Sequence, residues 1–368
     1  MAGCSRQDLR PLGLGQVEQL ALEQLAHDPV GKVALELAAP GAQRPELASA
    51  RHAAGRCEQP ALADTGGTFD HHEPALPGLR PRKRRLEAAQ LLVALREGAL
   101  RRPGDHRRDH TGAVKLITWN VNSLKARMPR VLELLEAHQP DLLFLQETKA
   151  EPDAFPHLEL EAAGYHAEHH SAGRWAGVAV AVPRGVELSS VCAGLPGEPA
   201  ADEARWLEVD VAGMRAVSVY VPNGRFLDSP QYAEKLRFLE AAAERIRALS
   251  EGPLAVAGDF NVCATDLDVY DPAAFVGSTH VTPPERERFA ALLEAGTIDA
   301  FRELHPDDQG FTWWDYRQGH FHRKMGLRLD AFLLSPPLAS RLESCGIDRG
   351  FRKGPKPSDH APLLLEMT

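Results

Sequence analysis

The sequence has few cysteines and no long apolar run. Its five cysteines are scattered over 368 residues, and no two are spaced as Cys-x-x-Cys. This argues against a thiolate zinc site or a disulfide framework and predicts a reducing compartment. No apolar run approaches the roughly 18–20 residues of a membrane span, and the beginning of the chain has no apolar signal core. We therefore expect a soluble, cytoplasmic protein without membrane contact.

Aromatic side chains are almost absent from the first part of the chain. Of 5 Trp, 5 Tyr and 13 Phe, only Phe69 precedes residue 114. A segment with so few large apolar side chains cannot offset the entropy of ordering its backbone. We predict that residues 1–113 form a largely disordered extension with a solvated basic run at 80–85, and that residues 114–368 form a folded domain. Two alternatives remain open: a natural translation start near Val114, or a partner-binding arm.

Positive charge is in deficit, because the chain has 42 Lys and Arg against 51 Asp and Glu. Such a protein does not bind nucleic acid by bulk charge, so a DNA-binding surface would have to be local. The sequence also lacks the GxxxxGK[ST], GxGxxG and GxSxG patterns. Their absence argues against a nucleotide-driven motor, a nicotinamide enzyme and a serine hydrolase of the α/β type.

From residue 114 onward, short apolar runs alternate with amphipathic segments. The predicted strands are 115–121, 141–146, 178–182, 215–221, 254–257, 327–334 and 361–365. The predicted helices are 124–138, 229–249 and 282–295. Ser229 before Pro230, and Thr-Pro-Pro-Glu from Thr282, are helix-start signals. This alternation predicts a layered α/β domain.

Polar residues stand where the predicted strands end. They are Asn120, Asn122, Glu147, Tyr220, Asn223, Asp259, Asn261, Asp330, Asp359 and His360. Ligands of α/β sheets bind beyond strand ends, so the recurrence predicts one shared pocket. Each residue alone also has a structural explanation, such as an Asx turn at Asp259 or core packing at Tyr220. The hypothesis depends on their coincidence.

The chemistry of these residues favours a hard metal ion. Carboxylates and carboxamides without clustered cysteine or histidine suit Mg²⁺ or Mn²⁺, which typically serve phosphate chemistry. Asp330 interrupts an apolar strand and needs a partner, for which a histidine is the natural candidate. An Asp near an Asn, as at 259 and 261, could activate and orient a water molecule.

Seven segments together resemble the exonuclease III family of AP endonucleases, within the endonuclease/exonuclease/phosphatase superfamily. In chain order they are ITWNVNSLKAR, LLFLQETK, YVPNG, AGDFNVCATDLDV, TWWDYR, GLRLD and KPSDHAPL. The resemblance covers about residues 114–368 and implies a four-layer α/β sandwich, with two β-sheets flanked by helices. The metal-centre motifs are shared by the whole superfamily, whereas Lys149, YVPNG, TWWDYR and GLRLD favour the abasic-site branch.

The resemblance also implies roles for individual residues. The implied metal site consists of Asn120, Glu147, Asp259, Asn261, Asp359 and His360, with Glu147 as the principal ligand. The implied catalytic residues are Tyr220, Asp259, Asn261, Asp330 and His360. Among these, Asp259 activates water or protonates the leaving group, and His360, paired with Asp330, contacts the scissile phosphate. The implied substrate-binding residues are Asn122, Lys149, Asn223 and Trp313, with Trp313 bordering the abasic-sugar pocket unless it is ordinary core.

The activity implied by the resemblance is Mg²⁺-dependent cleavage of duplex DNA, with Mn²⁺ as a possible substitute. The expected enzyme is a monomeric, nucleoid-associated phosphodiesterase of base excision repair. It incises 5′ to abasic sites and acts as a 3′→5′ exodeoxyribonuclease. Candidate phosphate contacts are Arg174, Arg225, Arg323, Lys324, Lys353 and Lys356, each of which could equally be a solvated charge. The alternatives are a lipid or inositol-phosphate phosphoesterase and a non-catalytic DNA-binding scaffold.

Overall fold

A computed structural model describes residues 113–368. The expectations for the basic run at 80–85 and for the rest of the extension up to residue 112 lie outside the described residues. Within residues 113–368, no helix has the length and apolar character needed to cross a membrane.

The described residues form two six-stranded sheets. The strands are β1 (Val114–Asn120), β2 (Leu142–Gln146), β3 (Tyr165–His170), β4 (Val178–Pro183), β5 (Leu188–Ala193), β6 (Trp206–Val211), β7 (Met214–Tyr220), β8 (Leu254–Asp259), β9 (Ile298–Asp299), β10 (Asp330–Leu334), β11 (Leu342–Ile347) and β12 (Leu363–Met367). The α-helices are α1 (Leu124–His138), α2 (His157–Ala162), α3 (Pro230–Leu249), α4 (Pro283–Glu294), α5 (Ala300–Leu304) and α6 (Pro336–Ala339).

The two sheets have the same plan. The first has the order β11-β12-β1-β2-β4-β3, and the second has the order β5-β6-β7-β8-β10-β9. Each contains one parallel pair near its centre, β1 with β2 and β7 with β8, and its other pairs are antiparallel. A long helix connects each parallel pair, α1 in the first sheet and α3 in the second, because parallel neighbours need a crossover connection.

Alternating side chains divide each sheet between two apolar layers. In the first sheet, Leu116 and Phe144 face the second sheet, whereas Ile117 and Leu143 pack with α1. In the second sheet, residues such as Val217 pack with α3 and α4 on the outer face. Strands buried on both faces read as continuous apolar runs, as in LLFLQ of β2. The predicted four-layer sandwich is therefore confirmed.

The helix-start signals are present as predicted. The Ser229 hydroxyl accepts from the N–H of Tyr232 at 3.1 Å, and Thr282 with Glu285 forms a capping box. The predicted strand 327–334 is wrong at its beginning, because β10 begins at Asp330 and Leu327 makes only isolated bridges. Sequence reasoning missed β3, β5, β6, β9 and β11, of which β3, β5, β9 and β11 lie at sheet edges.

Candidate active site

Strand register brings the predicted polar residues to one edge of the sandwich. Asn120 ends β1 beside β2, which Glu147 follows, and Tyr220 lies opposite Asp259 at the ends of β7 and β8. Asp330, the first residue of antiparallel β10, also lies opposite Asp259. The carboxyl ends of the parallel pairs therefore meet the beginning of β10, and residues distant in sequence become neighbours.

Asn120 connects the two sheets at this edge. Its buried side-chain amide donates to Oε1 of Glu147 at 2.8 Å and to Oδ2 of Asp259 at 2.9 Å. Its Oδ1 accepts from the N–H of Asn122 at 3.0 Å. The carboxamide of Asn120 thus links the carboxylate of Glu147, which follows a strand of the first sheet, to that of Asp259, which ends a strand of the second sheet.

The loop after β8 turns sharply at Asn261. This residue has a φ of 52°, a left-handed conformation that asparagine tolerates better than most residues. Its N–H donates to Oδ1 of Asp259 at 2.9 Å, which is the predicted Asx-type contact. Its side-chain amide donates to the carbonyl of Val221 at 2.9 Å and accepts from Nδ2 of Asn223 at 3.3 Å. The structural interpretation of this motif is therefore confirmed, and its functional interpretation stays a prediction.

His360 and Asp330 form a buried pair beside Asp259. The Nδ1 atom of His360 lies 2.8 Å from Oδ2 of Asp330, and its Nε2 lies 3.7 Å from Oδ2 of Asp259. Although burial acts to lower the pKa of His360, the charges of Asp330 and Asp259 raise it to about 10. Burial raises the pKa of Asp259 to about 7, with His360 opposing the shift. The imidazole therefore carries a proton at neutral pH and can donate to an anion.

Glu147 and Lys149 flank a strained turn after β2. Both have left-handed backbone conformations, with φ values of 51° and 50°. Such residues cluster at functional sites and cost about 1–3 kcal/mol each. Nζ of Lys149 lies 2.7 Å from Oε2 of Glu147 and donates to Oδ1 of Asn122 at 2.8 Å. Lys149 therefore holds a site carboxylate as well as a site carboxamide.

Asp359 and Trp313 form the opposite side of the site. Oδ1 of Asp359 accepts from Nδ2 of Asn122 at 3.0 Å, and its Oδ2 accepts from the indole N–H of Trp313 at 3.1 Å. Trp313 is half-buried, whereas its neighbour Trp314 is fully buried in the interior. The indole of Trp313 therefore contacts a site carboxylate and also packs against the buried cluster of Cys263, Val269, Leu327 and Leu329.

Tyr220 lies between the carboxylates and a cation. Burial and the nearby charge of Glu147 raise the pKa of its hydroxyl. The guanidinium of Arg205 lies 4.7 Å from the centre of its ring and donates to its backbone carbonyl at 3.3 Å. Sequence reasoning missed Arg205, which precedes an undetected strand, β6.

A divalent cation fits the donor set at the centre of this edge. Glu147, Asp259 and His360 each place a ligand atom within 4.8 Å of the others, and residues 113–368 contain no other such group. The two carboxylates offer the oxygen atoms that Mg²⁺ prefers. Asp359 lies outside this group, so its role as a ligand stays a prediction. The role of His360 as a ligand also stays a prediction, because an imidazole binds a metal ion only when it is neutral.

A buried lysine also escaped sequence reasoning. Lys235 of α3 is fully buried, and its Nζ donates to the carbonyl oxygen of Asn261 at 2.6 Å. The signal was present, because Lys235 lies three residues after Tyr232 and four before Leu239 on the apolar stripe of the helix. Glu285, its partner, is recognisable from the sequence only as a capping-box residue.

The chain is similar in sequence to known nucleases. The sequence model of the Endonuclease/Exonuclease/phosphatase family matches residues 117–360. Exodeoxyribonuclease III of Haemophilus influenzae is 31% identical over 272 residues, which cover 69% of this chain and 99% of that protein. The exodeoxyribonuclease of Bacillus subtilis is 32% identical over 257 residues, which cover 68% of this chain and 98% of that protein.

Solved structures agree with these relatives. A 3′ phosphatase from Neisseria, bound to a product DNA hairpin, is 38% identical with a TM-score of 0.67. An AP endonuclease from Archaeoglobus fulgidus is 35% identical with a TM-score of 0.66. Each match covers 69% of this chain and 99% of the other. The chain belongs to the endonuclease/exonuclease/phosphatase family and, within it, to the exonuclease III branch.

Proposed function

We propose that this chain is a Mg²⁺-dependent DNA phosphodiesterase of base excision repair that acts on the nucleoid. It cuts the backbone 5′ to an abasic site, leaves a 3′-hydroxyl, and also shortens or unblocks 3′ ends of duplex DNA. Mn²⁺ can replace Mg²⁺. Residues 114–368 are the catalytic domain and act as a monomer.

The contact of Asn120 with both Glu147 and Asp259 carries this proposal. This contact brings carboxylates that follow or end strands of both sheets into one polar centre. Buried carboxylates cost free energy unless they are paired or bound to a metal, so such a centre indicates a functional rather than a structural role. Relatives named exodeoxyribonuclease III and a DNA repair nuclease from Danio rerio support DNA as the substrate. Abasic DNA suits a pocket that takes in an extruded sugar, because a missing base lowers the cost of extrusion.

The site residues divide the chemistry among them. Glu147 is the principal ligand of Mg²⁺, which neutralises phosphate charge and stabilises the leaving oxygen when bound. Asp259 takes a proton from the attacking water or gives one to the leaving group, and Asn261 orients the water. The protonated His360, held by Asp330, donates to the scissile phosphate.

The surroundings of the site carry the substrate contacts of the proposal. Trp313 borders the sugar pocket, Asn122 and Asn223 support the pocket, and Lys149 is a further substrate-binding residue, as the resemblance implies. All six candidate phosphate contacts, Arg174, Arg225, Arg323, Lys324, Lys353 and Lys356, are exposed. Contacts of this kind bind DNA independently of its sequence.

Incision of a labelled duplex with one abasic site tests the proposal. We expect a single 5′ cut with Mg²⁺ or Mn²⁺, none with a chelator, and slow shortening of an undamaged duplex from its 3′ ends. A duplex with a 3′-phosphate tests the activity named for the Neisseria protein. Hydrolysis of sphingomyelin or an inositol phosphate without incision of abasic DNA would instead establish the phosphoesterase alternative.

A further inference from the structure

A fully buried ion pair lies directly behind the loops that present two site asparagines. Lys235 and Glu285 are both 0% exposed, and their charged groups are in direct contact. Burying two charges costs several kcal/mol per ion, and apolar residues of similar size often stabilise a protein as well or better. The pair is therefore not explained by stability alone.

Besides Glu285, the ammonium group of the lysine contacts the hydroxyl of Thr279 and two backbone carbonyls. Nζ of Lys235 donates to the carbonyl oxygen of Asn261 at 2.6 Å and to that of Asn223 at 3.3 Å. These carbonyls belong to two separate loops, one after β7 and one after β8. One ammonium group thus links the backbones of both loops.

Asn261 shows what this link achieves. Its N–H contacts Asp259, and its carbonyl contacts Lys235, on either side of a left-handed residue. The same carbonyl accepts from Nδ1 of His280 at 2.6 Å when that nitrogen carries the proton. The donors behind the loop therefore hold the peptide unit after Asn261, and Asp259 holds the unit before it, so the left-handed residue is fixed on both sides.

Glu285 fixes the ammonium group in turn. Its Oε1 also accepts from the hydroxyl of Thr279 at 2.7 Å and from the N–H of His280 at 2.9 Å. Its Oε2 accepts from the N–H and the hydroxyl of Thr282, at 3.0 and 2.8 Å. The beginning of α4 is thereby part of the same assembly.

We propose that Lys235 is a positioning residue for the phosphodiester cleavage described above. Its ammonium group, anchored by Glu285, sets the backbone of the two loops and so aligns the carboxamides of Asn223 and Asn261 beside Asp259. Lys235 does not contact the substrate. This inference rests on the proposed function for its catalytic consequence, but the alignment itself can be observed without substrate.

The decisive variant is Lys235→Met with Glu285→Gln, because it removes both charges without leaving one of them unpaired. The matched control is Arg245→Met with Glu208→Gln, another pair with a fully buried glutamate, whose side chain contacts Trp206, Arg215 and Arg245 rather than the site. The measurements are kcat and KM on an abasic duplex with Mg²⁺, melting temperature, and the side-chain amide NMR signals of the two asparagines without metal or DNA.

We expect the Lys235/Glu285 variant to lose about 100-fold in kcat, the cost of a displacement of about 1 Å in an active site. KM should change little, and both asparagine amide signals should shift. The control pair should keep its kcat and these signals. Thr279→Val removes a hydroxyl whose oxygen lies 2.7 Å from Oε1 of Glu285 and 3.2 Å from the carbonyl oxygen of Asn223, and it should shift the Asn223 signal with a smaller loss in kcat.

Unchanged kcat in a folded Lys235/Glu285 variant would overturn the inference, and so would a loss of kcat with both amide signals unmoved. If that variant does not fold, an unchanged Asn223 amide signal in Thr279→Val would overturn the inference instead. If the wild-type protein does not cut abasic DNA, the proposed function fails, whereas the amide signals still decide whether Lys235 aligns the two loops.

Discussion

Two groups of charged side chains in this molecule have similar residue types but differ in the ratio of acidic to basic groups. The site cluster contains four carboxylates, Glu147, Asp259, Asp330 and Asp359, and two cations, Lys149 and His360. The balanced network contains two carboxylates, Asp268 and Asp299, and two cations, Arg302 and Arg328. Apart from Asp299 and Arg302, the members of both groups lie in the segments that resemble the exonuclease III family.

The balanced network satisfies its own charges. Oδ1 of Asp268 accepts from Arg328 at 2.7 Å and from Arg302 at 2.6 Å, and Arg328 also donates to Asp299 at 2.8 Å. Against the opposing effect of burial, Arg328 lowers the pKa of Asp268. In the site cluster, four acidic groups stand against two basic groups, and burial raises the pKa of Asp259 to about 7. The two groups therefore differ in compensation: each carboxylate of the balanced network contacts a guanidinium, whereas the site cluster has more acidic than basic groups.

Removing a carboxylate from the site cluster should produce the largest change in activity. We expect Glu147→Ala to lower turnover of an abasic duplex by about 10³-fold or more, because the variant lacks the proposed principal ligand of the cation. Thermal melting should stay near that of the wild type, since Glu147 follows its strand rather than lying inside it. Glu136→Ala, an exposed glutamate of α1, is the control, and full turnover of Glu147→Ala at ordinary Mg²⁺ would reject the assigned role.

The same change in the balanced network should affect stability instead. Asp268→Ala leaves the buried guanidinium of Arg328 without one of its two carboxylate partners and should lower the free energy of unfolding by about 3–5 kcal/mol. Turnover per folded molecule should stay unchanged. Urea unfolding followed by circular dichroism measures the first quantity, and initial rates at a temperature where the variant is folded measure the second. A loss of turnover without a loss of stability would contradict the distinction between the site cluster and the balanced network.

The variant Asp330→Asn tests whether Asp330 belongs to the site cluster or has only a structural role. The variant keeps the size of the side chain but removes the charge that orients and charges His360, so turnover should fall by about 10²-fold. KM and the melting temperature should change less than turnover does. Steady-state kinetics with calorimetric melting separate these effects, and a variant that loses stability while keeping kcat would move Asp330 to the structural group.

Per pH unit, the smallest expected effect concerns the Lys235–Glu285 pair. Although burial acts to raise it, contact with Lys235 lowers the pKa of Glu285 from 4.5 to about 2. The stability that this carboxylate contributes is complete above pH 4.5 and is lost as pH falls from about 4.5 to about 2, by about 1.4 kcal/mol per pH unit. Urea unfolding at several pH values should show a shallower acid dependence for Glu285→Gln, and equal slopes would contradict the shift.

Local sequence patterns predicted the elements that carry their own signals. The helices at 124–138 and 229–249 begin within one residue of the predicted positions, the first because of its apolar periodicity and the second because Ser229 and Pro230 mark its start. Edge strands such as β3, with the sequence YHAEHH, carry no apolar run and escaped prediction, because pairing with β4 rather than their own composition stabilises them. Likewise, the position of Lys235 on an apolar stripe indicates that the lysine is buried, but it does not identify Glu285 on α4 as its partner.

The sequence by itself determined which residues end the strands and which chemistry they offer, since strand length, capping and residue type are local properties. Only the tertiary structure decided which of those charges are compensated. Asp268 and Asp259 are both acidic residues in one motif, yet one meets two guanidinium groups while the other meets Asn120, Asn261 and His360. Compensation depends on groups distant along the chain, which chain folding alone brings within hydrogen-bonding distance.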